Sequence, residues 1–202
     1  MPPSRPHPPR LRTARLVLRR LTPADLPAVT ALCGDPEVMR YLDDGRPVPP
    51  ARVADELLPG LLREYAELPD GLGCWAVEAA GRFLGWAALR PPSSVGLVER
   101  PDPADLELGY RLLPATRGRG YATEAAAGLV RAAFAERAAG RVVATTMAVN
   151  APSRRVLERA GLRHVRSFLV DWPDPIPGSE HGDVVYALTR AEWAAEPSTP
   201  VR

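Results

Sequence analysis

Leu112-Leu113-Pro114-Ala115-Thr116-Arg117-Gly118-Arg119-Gly120-Tyr121-Ala122-Thr123-Glu124-Ala125 runs strand end, glycine turn, helix start. Glycines at 118 and 120 permit positive φ and close backbone approach. The backbone N–H groups of Gly118 to Thr123 are expected to be the unpaired donors of a helix N-terminus. Together with the helix dipole they form a site for phosphate or pyrophosphate. Arg117 and Arg119 add charge-assisted donors. The stretch is no Walker loop, because no Gly-Lys-Ser/Thr follows. It also fits a dinucleotide fingerprint poorly, because the third glycine would fall at Thr123. A glycine-rich helix start without a ligand stays open on these residues alone.

Before this turn, Leu106–Leu113 reads as a fourth strand, and after it Arg119–Ala139 reads as the longest helix, stopped by Gly140. Upstream, Arg15–Arg20 reads as a first strand, and Thr22-Pro23 opens a helix through Leu32. A short helix Glu37–Leu42 and a longer one, Ala51–Glu67, follow. Cys74–Glu78 and Phe83–Leu89 form a hairpin around Ala80-Gly81. Downstream come a strand Val142–Val149, a helix Pro152–Ala160 stopped by Gly161, and two last strands, His164–Val170 and Val184–Leu188. Strands and helices mix without strict βαβ alternation, so the class is α+β with a mixed sheet. Residues 1–12 read as a disordered arm, 13–193 as one domain and 194–202 as a flexible tail.

Asn150-Ala151-Pro152-Ser153 starts the helix after the fifth strand. Pro152 suits a first helical turn. Asn150 is the one asparagine in 202 residues, and its amide can both donate and accept. Taken alone, a cap on the helix and a ligand contact are equally open readings, and the placing of the one asparagine here favours a specific role for its amide.

Composition narrows the function classes. The chain has 26 basic against 24 acidic residues, a net charge of +2, too balanced for an electrostatic nucleic-acid binder. Lysine is absent, so every side-chain ammonium or guanidinium charge is arginine. Cys33 and Cys74 lie far apart, and His7, His164 and His181 are scattered, so no metal site is expected. No apolar run approaches the roughly 20 residues of a membrane span. The start has no apolar signal-peptide region, so a cytoplasmic location is expected.

The two stretches, in this order and spacing, resemble the GNAT N-acetyltransferases, most closely the RimJ/RimL-type branch of bacterial enzymes that acetylate ribosomal-protein N-termini. The family's motif, Gln or Arg, two residues, Gly, one residue, Gly or Ala, is met by Arg117, Gly120 and Ala122. Thr13–Arg19, Asp35–Leu42, Glu107–Tyr110, Ser153–Leu162 and His181–Leu188 extend the likeness over about residues 13–190. It implies a bent mixed sheet of six to seven strands, flanked by helices and splayed between strands four and five. It implies acetyl-CoA as co-substrate, with no metal. Leu112 main-chain groups and Asn150 would bind the pantetheine arm, and Ser153 would lie near the arm or the thiol. Arg117, Gly118, Arg119, Gly120, Tyr121, Ala122 and Thr123 would hold the pyrophosphate. The family's common homodimer is a possible assembly.

An amine attacks only when neutral, so a base must take its proton. Glu107 is the expected base, on the strand before the turn. The position of the family's tyrosine acid is Leu157, which makes Ser153 the expected proton donor, with Tyr110 and Tyr186 behind it. Acceptor selectivity is expected from the loops Asp43–Pro50, Pro91–Asp105 and Asp171–Asp183. Their acids Asp43, Asp44, Glu99, Asp102, Asp105, Asp171, Asp174 and Glu180 suit a cationic acceptor, either a protein N-terminus or a small amine. Trp75 and Trp172 are candidate cleft walls. The alternative is an acyl-CoA-binding sensor or structural module without chemistry.

Overall fold

The hairpin pattern and the long alanine-rich helix are both realised in the computed structural model, which describes residues 10–92, 102–169 and 175–195. Eight strands form one sheet in the order β1-β2-β3-β4-β5-β6-β8-β7. They are β1 (Arg10–Arg12), β2 (Val17–Arg20), β3 (Gly73–Ala79), β4 (Arg82–Arg90), β5 (Asp105–Leu112), β6 (Arg141–Met147), β7 (Arg163–Phe168) and β8 (Asp183–Thr189). All neighbours are antiparallel except β5 and β6, which run parallel. The fold is therefore mixed, as the sequence indicates, with eight strands in place of six to seven.

The additional strand is β1. Residues Arg10–Arg12 were expected in a disordered arm, yet they pair with Val17–Arg19. Leu11 packs against the main core, which offsets the ordering cost of this short strand. The rest of the expected arm, residues 1–9, lies outside the described residues. At the other end, a helix covers Arg190–Ala195, so the start of the expected tail is helical. Residues 196–202 lie outside the described residues.

The described residues also hold the α-helical segments α1 (Leu26–Cys33), α2 (Pro36–Met39), α3 (Pro50–Arg52), α4 (Leu58–Glu67), α5 (Tyr121–Glu136), α6 (Ala151–Arg159) and α7 (Arg190–Ala195). Between α3 and α4 the expected single helix widens into a π-turn over Val53–Leu57. Pro59 follows directly; it has no N–H, and its ring crowds the carbonyl four residues back, which a wider turn relieves. Helix α5 ends at Glu136, about one turn of sequence before Gly140. Ala138 adopts a positive φ of 51°, and the Ala139 N–H reaches back to the Ala133 carbonyl. Gly140 instead donates to the Ala104 carbonyl and so joins the entry of β6 to the entry of β5.

Side chains alternate across the sheet. Leu106 and Leu108 of β5 join Ala125, Leu129 and Phe134 of α5 and Leu157 of α6 in the larger core. On the opposite face, Cys74, Ala76, Trp86 and Ala88 pack with Val29 and Leu32 of α1 and Leu58 and Leu61 of α4. The sheet is thus sandwiched between two helical layers, with α5 and α6 on one face and α1 and α4 on the other.

One break in the sheet sets up the site. β5 pairs with β6 only through Asp105↔Arg141, Leu106↔Val142 and Glu107↔Val143. Beyond that point β5 stays on β4 as far as Leu112, and β6 stays on β8 as far as Met147. The two strands therefore diverge, and the expected splay between the sequence's fourth and fifth strands is present. A bidentate ion pair holds the closed end. Arg141 donates from Nη2 to Asp105 Oδ2 at 2.6 Å and from Nε to Oδ1 at 3.1 Å. Gly85 of β4, at φ 148°, lies so close to the Arg111 carbonyl that a Cβ would overlap it. A side chain there would push β5 off β4 near Leu112.

Candidate functional site: a glycine turn beside a gap in the sheet

The glycine turn has the predicted geometry. Gly118 and Gly120 sit at φ 75° and 76°, in the region that favours glycine. Gly120 is the N-cap of α5 and provides no side-chain cap. The first helical bond runs from Glu124 N–H to the Gly120 carbonyl at 3.0 Å. Among the described residues, no backbone N–H from Gly118 to Thr123 has an acceptor. A Cβ on Gly118 would meet nothing within 4 Å, so open space lies before the turn. Unpaired donors, the positive end of a sixteen-residue helix and open space together fit a pyrophosphate.

Two arginines of the turn differ in use. Arg119 is exposed and its guanidinium makes no ion pair among the described residues. Arg117 is tied to α2, with Nη1 on Glu37 Oε2 at 2.9 Å and Nη2 on the Glu37 carbonyl at 3.0 Å. It fixes the turn against α2. A third arginine arrives from far away in sequence. Arg15 donates from Nη1 to the Arg119 carbonyl at 2.9 Å, pairs with Glu124 at 2.6 Å and lies over the Tyr121 ring at 4.8 Å. Thr13 also donates to Glu124, at 2.5 Å. Burial would raise the Glu124 pKa, but these donors and the Arg15 charge more than offset it and hold the carboxyl below its ordinary value. No local signal in residues 13–15 marks this contact, because 109 positions separate Arg15 from Glu124.

The gap joins the second motif to β5. Tyr110 OH lies 3.0 Å from Ser153 Oγ and donates to the Ser153 carbonyl at 3.1 Å, so β5 and the first turn of α6 meet across it. Burial pushes the Tyr110 phenol well up. Asn150 acts as the N-cap of α6, its Oδ1 accepting from Ser153 N–H at 3.3 Å. Its amide nitrogen has no partner among the described residues. Thr116 and Arg117 N–H groups bond back to Leu113 and Pro114, which closes the strand after Leu112.

Glu107 is half-buried at the last residue pair before the gap opens. Leu106 and Leu108 face α5, so Glu107 faces the other side of the sheet, next to Arg90 on β4. The structure therefore places Glu107 and Ser153 on opposite faces of the gap.

Several expectations need correction. Tyr186 is fully buried and its hydroxyl is engaged, donating to Glu158 at 2.8 Å and accepting from Arg154 at 3.2 Å. It is a strut between β8 and α6 and no proton donor for the gap. Trp75 lies in the main core and walls no cleft. Asp105 is no loop acid but the buried half of the Arg141 clamp. Asp43 lies 3.6 Å from Arg111, and Glu180 accepts from Gly178 N–H at 2.9 Å. Trp172, Glu99, Asp171 and Asp174 lie outside the described residues. Leu157, only 1% exposed, packs in the core among apolar neighbours.

No group of three or more potential metal ligands occurs among the described residues, and no described helix is long and apolar enough to cross a membrane.

The chain matches the family model described as acetyltransferase (GNAT) domain over residues 15–163. It is 37% identical over 187 residues to the FsC-acetyl coenzyme A-N(2)-transacetylase of Aspergillus fumigatus, covering 92% of this chain and 78% of that protein. Its fold is similar to the acetyltransferase (GNAT family) from Bacillus anthracis, with TM-score 0.71, 22% identity, and coverage of 91% and 100%. It is also similar to the ribosomal L7/L12 α-N-protein acetyltransferase RimL in complex with coenzyme A, with TM-score 0.70, 16% identity, and coverage of 90% and 98%. With the turn, the gap and the family match in agreement, this chain belongs to the GNAT family of acetyltransferases, which use acetyl-CoA.

Proposed function

We propose that the chain moves an acetyl group from acetyl-CoA to a primary amine by direct attack, in the manner of the RimJ/RimL-type branch. The observation that carries this reading is the gap. It offers the unpaired edge of β5 from Leu108 to Leu112 beside six free N–H groups at Gly118–Thr123. The name of the 37% identical relative, which puts its transacetylase activity at N(2), supports nitrogen as the acceptor atom. A homodimer belongs to the same reading and rests on the family resemblance.

Acetyl-CoA supplies the activated thioester. The amides of Gly118, Arg119, Gly120, Tyr121, Ala122 and Thr123, with the free Arg119 guanidinium, bind its pyrophosphate. Arg117 holds the turn to α2 and acts on the phosphates through position. Leu112 main-chain groups and the Asn150 amide hold the arm in the gap. α5 and α6 fill one face, so the acceptor approaches from the other, where Glu107 takes the ammonium proton directly or through water. Ser153 returns a proton to the departing thiolate from the opposite face. Its contact with Tyr110 orients the hydroxyl.

Glu107→Gln tests the base. We expect kcat to fall roughly 10²–10⁴-fold, as for loss of a general base. The deficit should be largest at low pH, because at high pH the amine is already neutral. Acetyl-CoA affinity should be unchanged. A mutant whose pH–rate profile matches the wild type would remove Glu107 from this role.

A further inference from the structure

The face of the gap away from α5 is asymmetric in charge. Alternation places Glu107, Gly109 and Arg111 of β5 on that face, with Val143, Thr145 and Met147 of β6 and Asp183, Val185 and Ala187 of β8. Met147 pairs with Asp183 and Thr145 with Val185, so Thr145 and Asp183 are diagonal neighbours on one surface.

Asp183 is only 9% exposed. No cation among the described residues pairs with it, and burial alone raises its pKa. Thr145 Oγ1 is buried with no hydrogen-bond partner. The Thr145 hydroxyl is thus left unsatisfied, a state that folding alone disfavours, beside an Asp183 carboxylate that has no ion-pair partner among the described residues and keeps some contact with solvent.

The nearby guanidinium groups are engaged elsewhere. Arg111 lies 3.6 Å from Asp43, 3.5 Å from Met39 Sδ and 4.9 Å from the Trp86 ring. Arg90 pairs with Glu64 at 3.3 Å. Arg166 lies 5.0 Å over the Phe168 ring, and Arg154 bonds Tyr186 and the Ala148 carbonyl. The β5 side of the gap therefore carries cations with partners, while the β8 side carries a carboxylate that no cation among the described residues pairs with.

We propose that Asp183 forms a cation subsite for the acceptor. Asp183 lies one strand beyond the gap, about 5 Å by strand spacing. It therefore holds a second cationic nitrogen of the acceptor, not the nitrogen that is acetylated. The acceptor class is an amine carrying a further ammonium a few bonds away. This inference rests on the acetyl-transfer reading of the gap.

The test titrates butylamine and 1,4-diaminobutane into the coenzyme A-loaded protein by calorimetry. The wild type should bind the diamine at least tenfold more tightly than the monoamine. Asp183→Asn should bring the diamine down to the monoamine level. Coenzyme A affinity should stay within twofold in this variant. The melting temperature of ligand-free Asp183→Asn should rise, because an uncompensated buried charge is removed. Equal affinities for the two amines in the wild type, a diamine preference that survives Asp183→Asn, or an Asp183→Asn protein that fails to fold overturns the subsite. Absence of coenzyme A binding by the wild type instead overturns the reading of the gap, and the subsite with it.

Discussion

Asn150 has an observed role and a proposed one, and a single substitution can separate them. Its Oδ1 caps α6, and its amide nitrogen is the proposed contact with acetyl-CoA. Asn150→Ala should lose the cap, about 1 kcal/mol of stability. Asn150→Asp keeps the acceptor and loses the donor. We expect Asn150→Asp to melt like the wild type in thermal scans and to bind acetyl-CoA at least tenfold more weakly. Unchanged affinity would leave Asn150 a cap and nothing more. The sequence presented both readings, because an asparagine before Pro152 suits either; only the bond to Ser153 establishes the cap. Leu157 is legible in the opposite sense. A leucine in place of the family's tyrosine announces a lost donor, and its 1% exposure shows that the position has become core. Arg15 was not legible as part of the turn, because only folding brings β2 against the N-terminus of α5.

The elements that local patterns specify match the sequence reading most closely. The β3–β4 hairpin, the start of α5 and the start of α6 each depend on a turn, a glycine or a proline within a few residues. Elements that tertiary contacts specify do not. β1 exists because Leu11 finds the core, and the π-turn before α4 exists because Pro59 must be accommodated in a helix otherwise continuous. The splay itself follows from the resemblance; no residue pattern in β5 or β6 announces where pairing stops. The structure shows what marks the closed end. Asp105, 3% exposed, grips Arg141 with both oxygens where the two strands first meet. Asp105→Asn should cost about 2 kcal/mol in urea unfolding, less than breaking a fully buried pair, because Arg141 is partly exposed. A loss near zero would mean that the backbone ladder alone holds the strands together.

At the scale of the molecule, charge couples stability to pH. Burial would raise the Asp25 pKa, but hydrogen bonds from Arg19 and Thr22 and the Arg19 charge hold it below its ordinary value. Arg19 reaches Asp25 at 2.7 and 2.8 Å and Glu78 at 2.9 Å, which joins β2, β3 and the turn before α1. Glu124 is depressed likewise at the glycine turn. For carboxyls with depressed folded pKa values, the stabilisation is complete above the unfolded pKa, about 4, and is lost as pH falls through the folded value. Acid unfolding should therefore steepen below about pH 4. An Asp25→Asn, Glu124→Gln double variant should show a flatter acid limb and lower stability at pH 7. Parallel curves for the two proteins would contradict this. The whole molecule also unites what the sequence holds apart: residues 13–15, the 117–124 turn, β5 and the first turn of α6 meet around one gap. That this gap and turn hold acetyl-CoA is the central claim, and calorimetric titration of acetyl-CoA into wild type and Gly120→Trp tests it most directly. Gly120 sits at φ 76° with Arg15 Nη2 3.4 Å from where a Cβ would stand, so an indole there crowds the pyrophosphate amides. The account predicts saturable one-to-one binding to the wild type and at least a tenfold loss in the variant with its fold retained by circular dichroism; equal affinity in both proteins, or no binding to the wild type, contradicts it.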